Sequence, residues 1–253
     1  MKNSLYISVL ALVVSVATAL YVCFGCCDHY NQSKPMPKIV PAALDKAELR
    51  AALENDPEMI INALQRYEQI QREAQLQEAS RLFKENIEEL NNNANSPFVG
   101  PKDAKIVLVE FFDFSCGYCK RLAPAVEEIV KKNKDIKVVF KPVTFVSPIS
   151  RYAAQAALAA DQQGKFMELY TVMLSSDSKL TEETINAMAE KAGLDMKKFK
   201  EAVASDKVQN TITEVAKLSE KLQIRGVPTL ILNGTQIQVI DEQGIQAEID
   251  RLK

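Results

Sequence analysis

Two cysteines, Cys116 and Cys119, are separated by two residues and come directly after an apolar run at residues 107–114. No other cysteine follows position 27, and a helical pattern begins at once and continues to Lys134. Two thiols three positions apart at the start of a helix can close a small disulfide ring, and the helix dipole favours the thiolate of the first cysteine. The spacing therefore predicts a redox-active dithiol that takes part in thiol–disulfide exchange.

A pair of cysteines at this spacing can also be half of a structural zinc site, which needs two further Cys or His ligands. The only histidine of the chain is His29, and no Cys or His other than Cys116 and Cys119 follows it. Only carboxylates could complete such a site, so we expect no metal and no cofactor apart from the Cys116–Cys119 disulfide itself. The same lack of histidine excludes Cys-His and Ser-His-Asp hydrolase sites from the C-terminal part.

The composition is that of an ordinary globular protein, with 47% hydrophobic and 25% charged residues in a chain of 253. This length allows one sizeable domain and an extension. The formal net charge is −2, so no excess of basic residues indicates a nucleic acid partner.

The pattern of residues 1–34 is typical of a targeting segment and not of a folded domain. Residues 5–25 carry no charge and follow Lys2. A small-residue cleavage site at residues 17–19 fits a cleaved signal peptide, whereas the length of the uncharged run fits an uncleaved membrane anchor. The sequence is compatible with both, and with acylation of a nearby cysteine. In either case we expect export to the periplasm or cell envelope.

Residues 35–95 predict a linker followed by a helical oligomerisation segment. From Asp56-Pro57 the sequence becomes strongly helical, with Asp56 as the expected N-cap. The apolar residues then form a narrow seam, as in helices that pair with one another in coiled coils. A helix that packs on the core of its own domain has a wider apolar stripe. The seam consists of Ile60, Ala63, Tyr67, Ile70, Ala74, Leu76, Ala79, Phe83, Ile87 and Leu90. We expect a homodimer or homotrimer formed through residues 57–92; the alternative is a helix folded back onto the domain that follows.

Residues 96–253 predict one α/β domain. A strand, a helix and a second strand follow one another within roughly 40 residues, which is the pattern of a βαβ unit with parallel strands. A helical block at about 149–222 comes next, and the chain ends with a hairpin, whose turn is Asn233-Gly234, and a last helix. The expected strands are 105–114, 136–145, 229–232 and 236–240, and the expected helices are 116–134, 149–164, 165–175, 181–193, 195–222 and 241–252.

Glu110 lies in the apolar strand, six positions before Cys116. A buried carboxylate is costly unless it is paired, and burial raises its pKa. We therefore expect Glu110 to act as the proton acceptor for Cys119 during exchange. The alternative is a structural ion pair, for which Lys141 on the neighbouring strand is the candidate; the two roles are compatible.

A second motif, Gly226-Val227-Pro228-Thr229, enters a later strand, where proline is tolerated because the strand start does not need its N–H. With this motif and the run from Val109 to Lys120, the chain from about Asp56 onward resembles the DsbA family of exported thiol–disulfide oxidoreductases. It is similar to the group that bears an N-terminal oligomerisation segment, and to the bacterial outer-membrane-protein subgroup of DsbA-like proteins.

The resemblance implies an α/β, thioredoxin-like fold with a helical insertion, preceded by an N-terminal helical oligomerisation stalk. It implies that Cys116 forms the mixed disulfide with a client and that Cys119 resolves it. Pro228 falls at the cis-proline of the family, whose loop faces the dithiol and accepts the client backbone. Glu110 falls at the buried acidic position of the family.

The dipeptide between the cysteines, Gly117-Tyr118, is similar to that of the disulfide isomerase DsbC, whereas Val227 before Pro228 is similar to the oxidases. Tyr118 and Val227 are therefore expected to support the site, and both an oxidase and an isomerase role fit. The implied partners are unfolded or misfolded exported clients and a membrane redox partner that resets the dithiol. A different class fits as well, namely a non-catalytic surface or scaffold protein that keeps the fold.

Overall fold

The computed structural model describes residues 45–239 and 241–253. The predicted targeting segment at residues 1–34 and the first part of the predicted linker lie outside the described residues. The chain divides into two compact units between Leu64 and Gln65. None of the described helices combines the length and the apolar character that are needed to cross a bilayer.

The described part of the first unit contains helix α1 (Lys46–Asn55) and the beginning of helix α2 (Glu58–Glu85). The Asp45 side chain caps α1 by accepting a hydrogen bond from the backbone N–H of Ala47. No residue of α1 is buried. Helix α1 precedes the helix predicted from Asp56 onward and was not predicted, although its Ala, Leu, Glu and Lys residues have high helix propensity.

The second unit is a five-stranded sheet covered by helices. After the rest of α2, its elements are α3 (Ile87–Asn92), β1 (Phe98–Val99), β2 (Val107–Phe112), α4 (Gly117–Lys132), β3 (Lys137–Pro142), α5 (Ser150–Asp161), α6 (Phe166–Ser175), α7 (Glu182–Lys191), α8 (Met196–Ala204), α9 (Asp206–Lys221), β4 (Thr229–Leu232), β5 (Thr235–Ile237) and α10 (Glu242–Asp250). The strand order is β1-β3-β2-β4-β5. Strands β2 and β3 are parallel and are connected through α4, so the predicted βαβ unit is confirmed, and the other pairs are antiparallel.

The central strand β2 is buried over its whole length, and its side chains alternate between two cores. Leu108 and Phe112 belong to a core that also contains residues of α4 to α8 and of α10. Val109 and Phe111 belong to a second core, on the other face, with residues from the end of α2, from α3 and from α9. The strand that leads into the cysteines is therefore held firmly from both sides.

The predicted helical block at residues 149–222 forms five helices, α5 to α9. The single helix predicted for residues 195–222 is wrong, because Ser205 separates α8 from α9. The backbone of Ser205 is extended, with φ −71° and ψ 148°, and its side chain accepts a hydrogen bond from the N–H of Val208. A serine N-cap stabilises a new helix start at this point, a signal that the apolar periodicity on both sides concealed.

The end of the predicted oligomerisation seam packs within the second unit. Phe83 and Leu90 are buried in the core on the sheet face that carries Val109. The prediction that the oligomer interface extends through residues 57–92 is therefore wrong for its last part. There the alternative applies, a helix that folds onto its own domain, because a side chain buried against the sheet cannot also contact a second copy.

Candidate active site

The turn between β2 and α4 positions the two cysteines. The backbone N–H of Cys116 donates to the carbonyl oxygen of Asp113 (3.0 Å), and Asp113 Oδ1 accepts a hydrogen bond from the N–H of Ser115 (2.8 Å). Cys116 becomes the N-cap residue of α4, and Cys119 lies one turn into the helix. This places the pair at the end of the helix where unpaired N–H groups and the helix dipole favour negative charge.

Cys116 is 8% exposed and contacts the loop that leads into β4. Its Sγ donates a hydrogen bond to the backbone oxygen of Val227 over 3.4 Å. The Val227–Pro228 peptide bond is cis. The tertiary structure thus brings together the two motifs that the sequence analysis singled out, although Cys116 and Val227 are 111 positions apart in the chain.

Cys119 is fully buried. Burial raises the pKa of its thiol well above the ordinary value, and Coulombic repulsion from Cys116 and Glu110 raises it further. A backbone hydrogen bond with Asp113 opposes this shift only in part. Cys119 is therefore a protonated thiol at neutral pH, and it needs a proton acceptor before it can act as a nucleophile.

Glu110, in the middle of β2, is the predicted proton acceptor and is completely buried. Its Oε2 accepts a hydrogen bond from the Tyr170 hydroxyl (3.0 Å), and its Oε1 has no hydrogen-bond partner among the described residues. Burial raises the pKa of Glu110 to about 8, and the hydrogen bond from Tyr170 offsets part of the shift. A carboxyl group with this pKa can both take up and return a proton near neutral pH.

The alternative partner of Glu110, Lys141, lies on the other face of the sheet. In the register of β2 and β3, Glu110 is opposite Phe140, whereas Lys141 is opposite Phe111. Because successive side chains of a strand point to opposite faces, Lys141 and Glu110 point away from each other. The Lys141 Nζ donates instead to the backbone oxygen of Glu89 in α3 (3.1 Å). The predicted ion pair is therefore wrong.

Metal ligation would be the alternative use of the two cysteines. Within residues 45–239 and 241–253, no group of three or more His, Cys, Asp or Glu side chains is placed to hold a metal ion. Cys116 and Cys119 are both free thiols. The described part of the chain therefore offers no completed zinc site.

Comparison with known proteins agrees with this geometry. A family model described as Thioredoxin matches residues 92–251, more than half of the chain. The chain belongs to the thioredoxin family. The predicted thioredoxin-like fold is therefore confirmed.

Two curated relatives and one solved structure show how this thioredoxin-family chain compares with others. This chain is 32% identical over 137 residues to the Na(+)/H(+) antiporter NhaA 3 of Salinispora tropica. The aligned region covers 53% of this chain and 21% of the antiporter, so the chain spans about a fifth of that relative. It is 29% identical over 150 residues to a probable disulfide bond formation protein D of Bacillus anthracis, which covers 54% of this chain and 69% of that protein. A linker-deletion variant of Proteus mirabilis ScsC superposes with a TM-score of 0.66 at 27% identity, covering 83% of this chain and 97% of that one. The predicted resemblance to DsbA-like proteins is confirmed at the level of the family.

The contact between Glu110 and Tyr170 was not predicted. Tyr170 lies in α6, 60 positions after Glu110, and is fully buried. Its ring centroid lies 5.2 Å from that of Phe112 and 5.2 Å from that of Phe140. A helix of the insertion thus supplies a hydrogen-bond donor to the acidic residue of this thioredoxin-family fold. The one signal in the sequence was the i, i+4 spacing of Phe166 and Tyr170, which indicates a core-facing helix side and no particular partner.

Asp113 is a second buried carboxylate at the site that sequence reasoning missed. Its Oδ1 accepts a hydrogen bond from Ser150 Oγ at the start of α5 (2.7 Å), and its Oδ2 accepts one from the N–H of Val146 (3.1 Å). These bonds attach the turn that carries Cys116 to the beginning of the insertion. An aspartate directly after a strand is a turn signal, but its partners lie 33 and 37 positions away.

Tyr118, between the two cysteines, lies on the surface. It is 62% exposed, and the guanidinium carbon of Arg121 is 4.2 Å from the centroid of its ring. The predicted supporting residue therefore contributes no contact to the buried part of the site formed by Glu110 and Cys119. Its ring is available to a molecule that approaches Cys116 from solvent.

Proposed function

We propose that this chain is an exported thiol–disulfide oxidoreductase that forms or isomerises disulfide bonds in envelope or secreted proteins. One observation carries the proposal: Cys116 keeps 8% of its surface exposed beside Val227 and the cis-proline loop, whereas Cys119, one helical turn further on, has none. With this arrangement a client can reach only the first sulfur, and the second is left to resolve the mixed disulfide. The likeness to a probable disulfide bond formation protein supports the proposal.

Oxidation of a client begins from the Cys116–Cys119 disulfide. A client thiolate attacks the sulfur of Cys116, so a bond between the client and Cys116 forms and the sulfur of Cys119 leaves with the electron pair. A second client thiolate then attacks the client sulfur of this mixed disulfide and releases Cys116. The client loses two electrons and gains a disulfide, while the two cysteines become thiols.

Isomerisation begins from the reduced pair. The Cys116 thiolate attacks a client disulfide, and another client thiolate later displaces Cys116, so no net electrons move. If that displacement is slow, the Cys119 thiolate attacks Cys116 instead and frees the client in its reduced form. Cys119 must lose a proton in this step and gain one during oxidation. Glu110, whose charge adds to the effect of burial in raising the pKa of Cys119, is the group that we propose to accept and return it.

The two motifs support different directions of the reaction. Gly117-Tyr118 supports isomerisation through its similarity to DsbC, and Val227 supports oxidation. In the oxidative direction a membrane redox partner must remove two electrons from Cys116 and Cys119 after each turnover. The clients are unfolded or misfolded exported proteins, and the proposed location is the periplasm or the cell envelope.

The redox potential of the Cys116–Cys119 pair separates this proposal from the alternative of a non-catalytic surface or scaffold protein. We expect a value near or above about −200 mV, as in active exchangers. A value below about −300 mV would indicate an inert structural disulfide and would contradict the proposal. The potential is measured by equilibration in glutathione or dithiothreitol buffers followed by mass spectrometry of the alkylated thiols. Refolding of scrambled ribonuclease by the same preparation tests the exchange itself.

We further propose that the chain forms a homodimer or homotrimer through α2. The seam residues Ile60, Tyr67 and Ile70 are 45%, 61% and 53% exposed. Large apolar side chains at this spacing favour burial against a second helix. Because Ala74, Leu76 and Ala79 line a groove within the second unit and Phe83 packs on the sheet, the proposed interface is limited to residues 57–70. An oligomer of this kind would present two or three dithiols to one client.

Replacement of Ile60 and Tyr67 by lysine in the full-length chain is expected to convert the oligomer to a monomer, because each copy would place two charges in the seam. Sedimentation equilibrium gives the mass. The matched control carries Gln65→Lys and Gln69→Lys on the same helix, adds the same charge and should keep the oligomer. A wild-type chain that sediments as a monomer, or a seam variant that keeps the wild-type mass, would contradict this part of the proposal.

A further inference from the structure

A groove of about 860 Å³ lies between α2 and the segment that leads from α9 into β4. Its volume falls in the upper part of the range of ligand sites, roughly 300–1,000 Å³. One wall is the face of α2 between residues 71 and 82, and the other is the segment 222–229. Val227 belongs both to the groove and to the dithiol site, since its backbone oxygen lies 3.4 Å from Cys116 Sγ. One end of the groove is therefore formed by a residue that contacts the reactive sulfur.

The α2 wall is formed by one face of the helix. Gln71, Gln75, Glu78 and Leu82 line the groove and follow one another at three or four positions, the spacing of residues on a common helix side. From Gln71 to Leu82 the helix rises about 17 Å, at 1.5 Å per residue. An extended chain covers the same length with about five residues, at about 3.3 Å each. The wall thus has the dimensions of a short extended peptide.

The polar part of the lining consists of five primary amides, with Arg72, Glu78, Arg225 and Thr229 beside them. These amides belong to Gln71, Gln75, Gln223, Gln236 and Gln238. All side-chain hydrogen bonds of glutamines within the described residues involve other positions, so these five amides are not engaged there. A primary amide offers two N–H donors and a carbonyl acceptor, and it can pair with the N–H and C=O groups of an extended backbone whatever its side chains are. Such a lining suits a polypeptide segment of variable sequence.

We propose that α2 is the outer wall of a client groove, in which an extended client segment binds with its cysteine next to Cys116. The inference rests on the proposed function, since it needs a client whose cysteine exchanges with this chain. The length of the wall, the unengaged amides and the shared residue Val227 together favour a polypeptide over a small thiol, which would occupy only the end of the groove beside Cys116.

The test compares a peptide with a small thiol. The oxidised full-length chain is mixed with a six-residue peptide that has one central cysteine, or with 2-mercaptoethanol, and the mixed disulfide at Cys116 is followed by quenched-flow mass spectrometry. In the Gln71→Ala/Gln75→Ala variant we expect the rate constant for the peptide to fall about tenfold, equivalent to about 1.4 kcal/mol. We expect Ala74→Trp, which fills the groove from an exposed position of α2, to slow the peptide at least as much. The rate with 2-mercaptoethanol should stay within about twofold of wild type in both variants.

The matched control carries Gln65→Ala and Gln77→Ala, two exposed positions of α2 that do not line the groove. It should react with both thiols as wild type does. If the groove variants react with the peptide as fast as wild type, or if both thiols slow equally, the groove proposal is wrong while the oxidoreductase proposal stands. If the wild-type chain reacts with neither thiol, the proposed function itself is wrong.

Discussion

Replacement of Cys116 by alanine is expected to reduce the refolding of scrambled ribonuclease to the uncatalysed background. The loss of catalysed refolding should be complete, because the variant lacks the nucleophile that forms the covalent intermediate and only the exchange by glutathione remains. Cys116 is the more exposed residue of the pair, at 8% against 0% for Cys119, and the complete burial of Cys119 prevents it from taking over the first attack. The measurement is the initial rate of regain of ribonuclease activity in a glutathione buffer.

Cys119→Ala is the natural companion of this variant. It keeps the attacking sulfur and lacks the resolving one, so it should accumulate a mixed disulfide between Cys116 and the client, visible on a non-reducing gel. The Cys116→Ala variant should form none. Thermal melting of both variants shows whether the fold is intact. A folded Cys116→Ala variant that keeps wild-type activity would refute the assignment of the nucleophile and with it the proposed mechanism.

Replacement of Glu110 by glutamine is expected to change the pH dependence of stability by about 5 kcal/mol. The ordinary pKa of this carboxyl is 4.5, and burial raises it to about 8 in the folded protein. Between these two values the folded state holds a proton that the unfolded state has lost. The free energy of unfolding of the wild-type chain therefore falls as the pH rises from about 4.5 to about 8, by about 1.4 kcal/mol per pH unit.

The glutamine variant cannot ionise at this position and should lack that fall. Its free energy of unfolding relative to wild type is thus expected to increase from pH 4.5 to pH 8 and to level off above pH 8. Any constant cost of leaving the new amide unpaired shifts the whole curve and not its slope. Urea denaturation at pH 5, 7 and 9 measures the difference.

The control for this experiment is Glu68→Gln, which removes an exposed carboxylate of α2 and should give a curve parallel to that of wild type. A Glu110→Gln curve that is also parallel to wild type would show that Glu110 has no raised pKa. In the same variant we expect slower resolution of the mixed disulfide, because Cys119 loses its proton acceptor.

The chemistry of the site could be predicted from short-range features of the chain. Three local patterns indicated it: the spacing of Cys116 and Cys119, the strand before them and the helix after them. Such patterns depend only on residues that are close in the chain, so they can be read without the tertiary structure. The βαβ unit followed from the periodicity of its apolar residues in the same way. Periodicity is a weaker guide where two helices with similar apolar faces meet, which is why the break at Ser205 was missed.

The partners of the buried acidic groups could not be predicted. Whether Glu110 contacts Lys141 depends on the register of β2 and β3, since a shift of one residue moves a side chain to the other face of the sheet. The observed register places the two side chains on opposite faces of the sheet. Glu110 accepts its hydrogen bond from Tyr170, a residue of the insertion, instead. The role of the seam in α2 and α3 likewise depends on packing, because burial of Phe83 and Leu90 on the sheet cannot be distinguished by sequence from burial on a second copy.

By itself, then, the sequence determined which groups can react, namely two thiols at a helix start and a carboxyl in an apolar strand. It also identified the proline loop as part of the site. Only the tertiary structure decided how those groups are tuned. In the folded chain Val227 contacts Cys116, Cys119 is fully buried, and Glu110 accepts one hydrogen bond from Tyr170. The physical reason is range: reactivity resides in residue types and near neighbours, whereas burial and hydrogen bonding come from groups that are distant in the chain and meet only when the sheet and the insertion pack together.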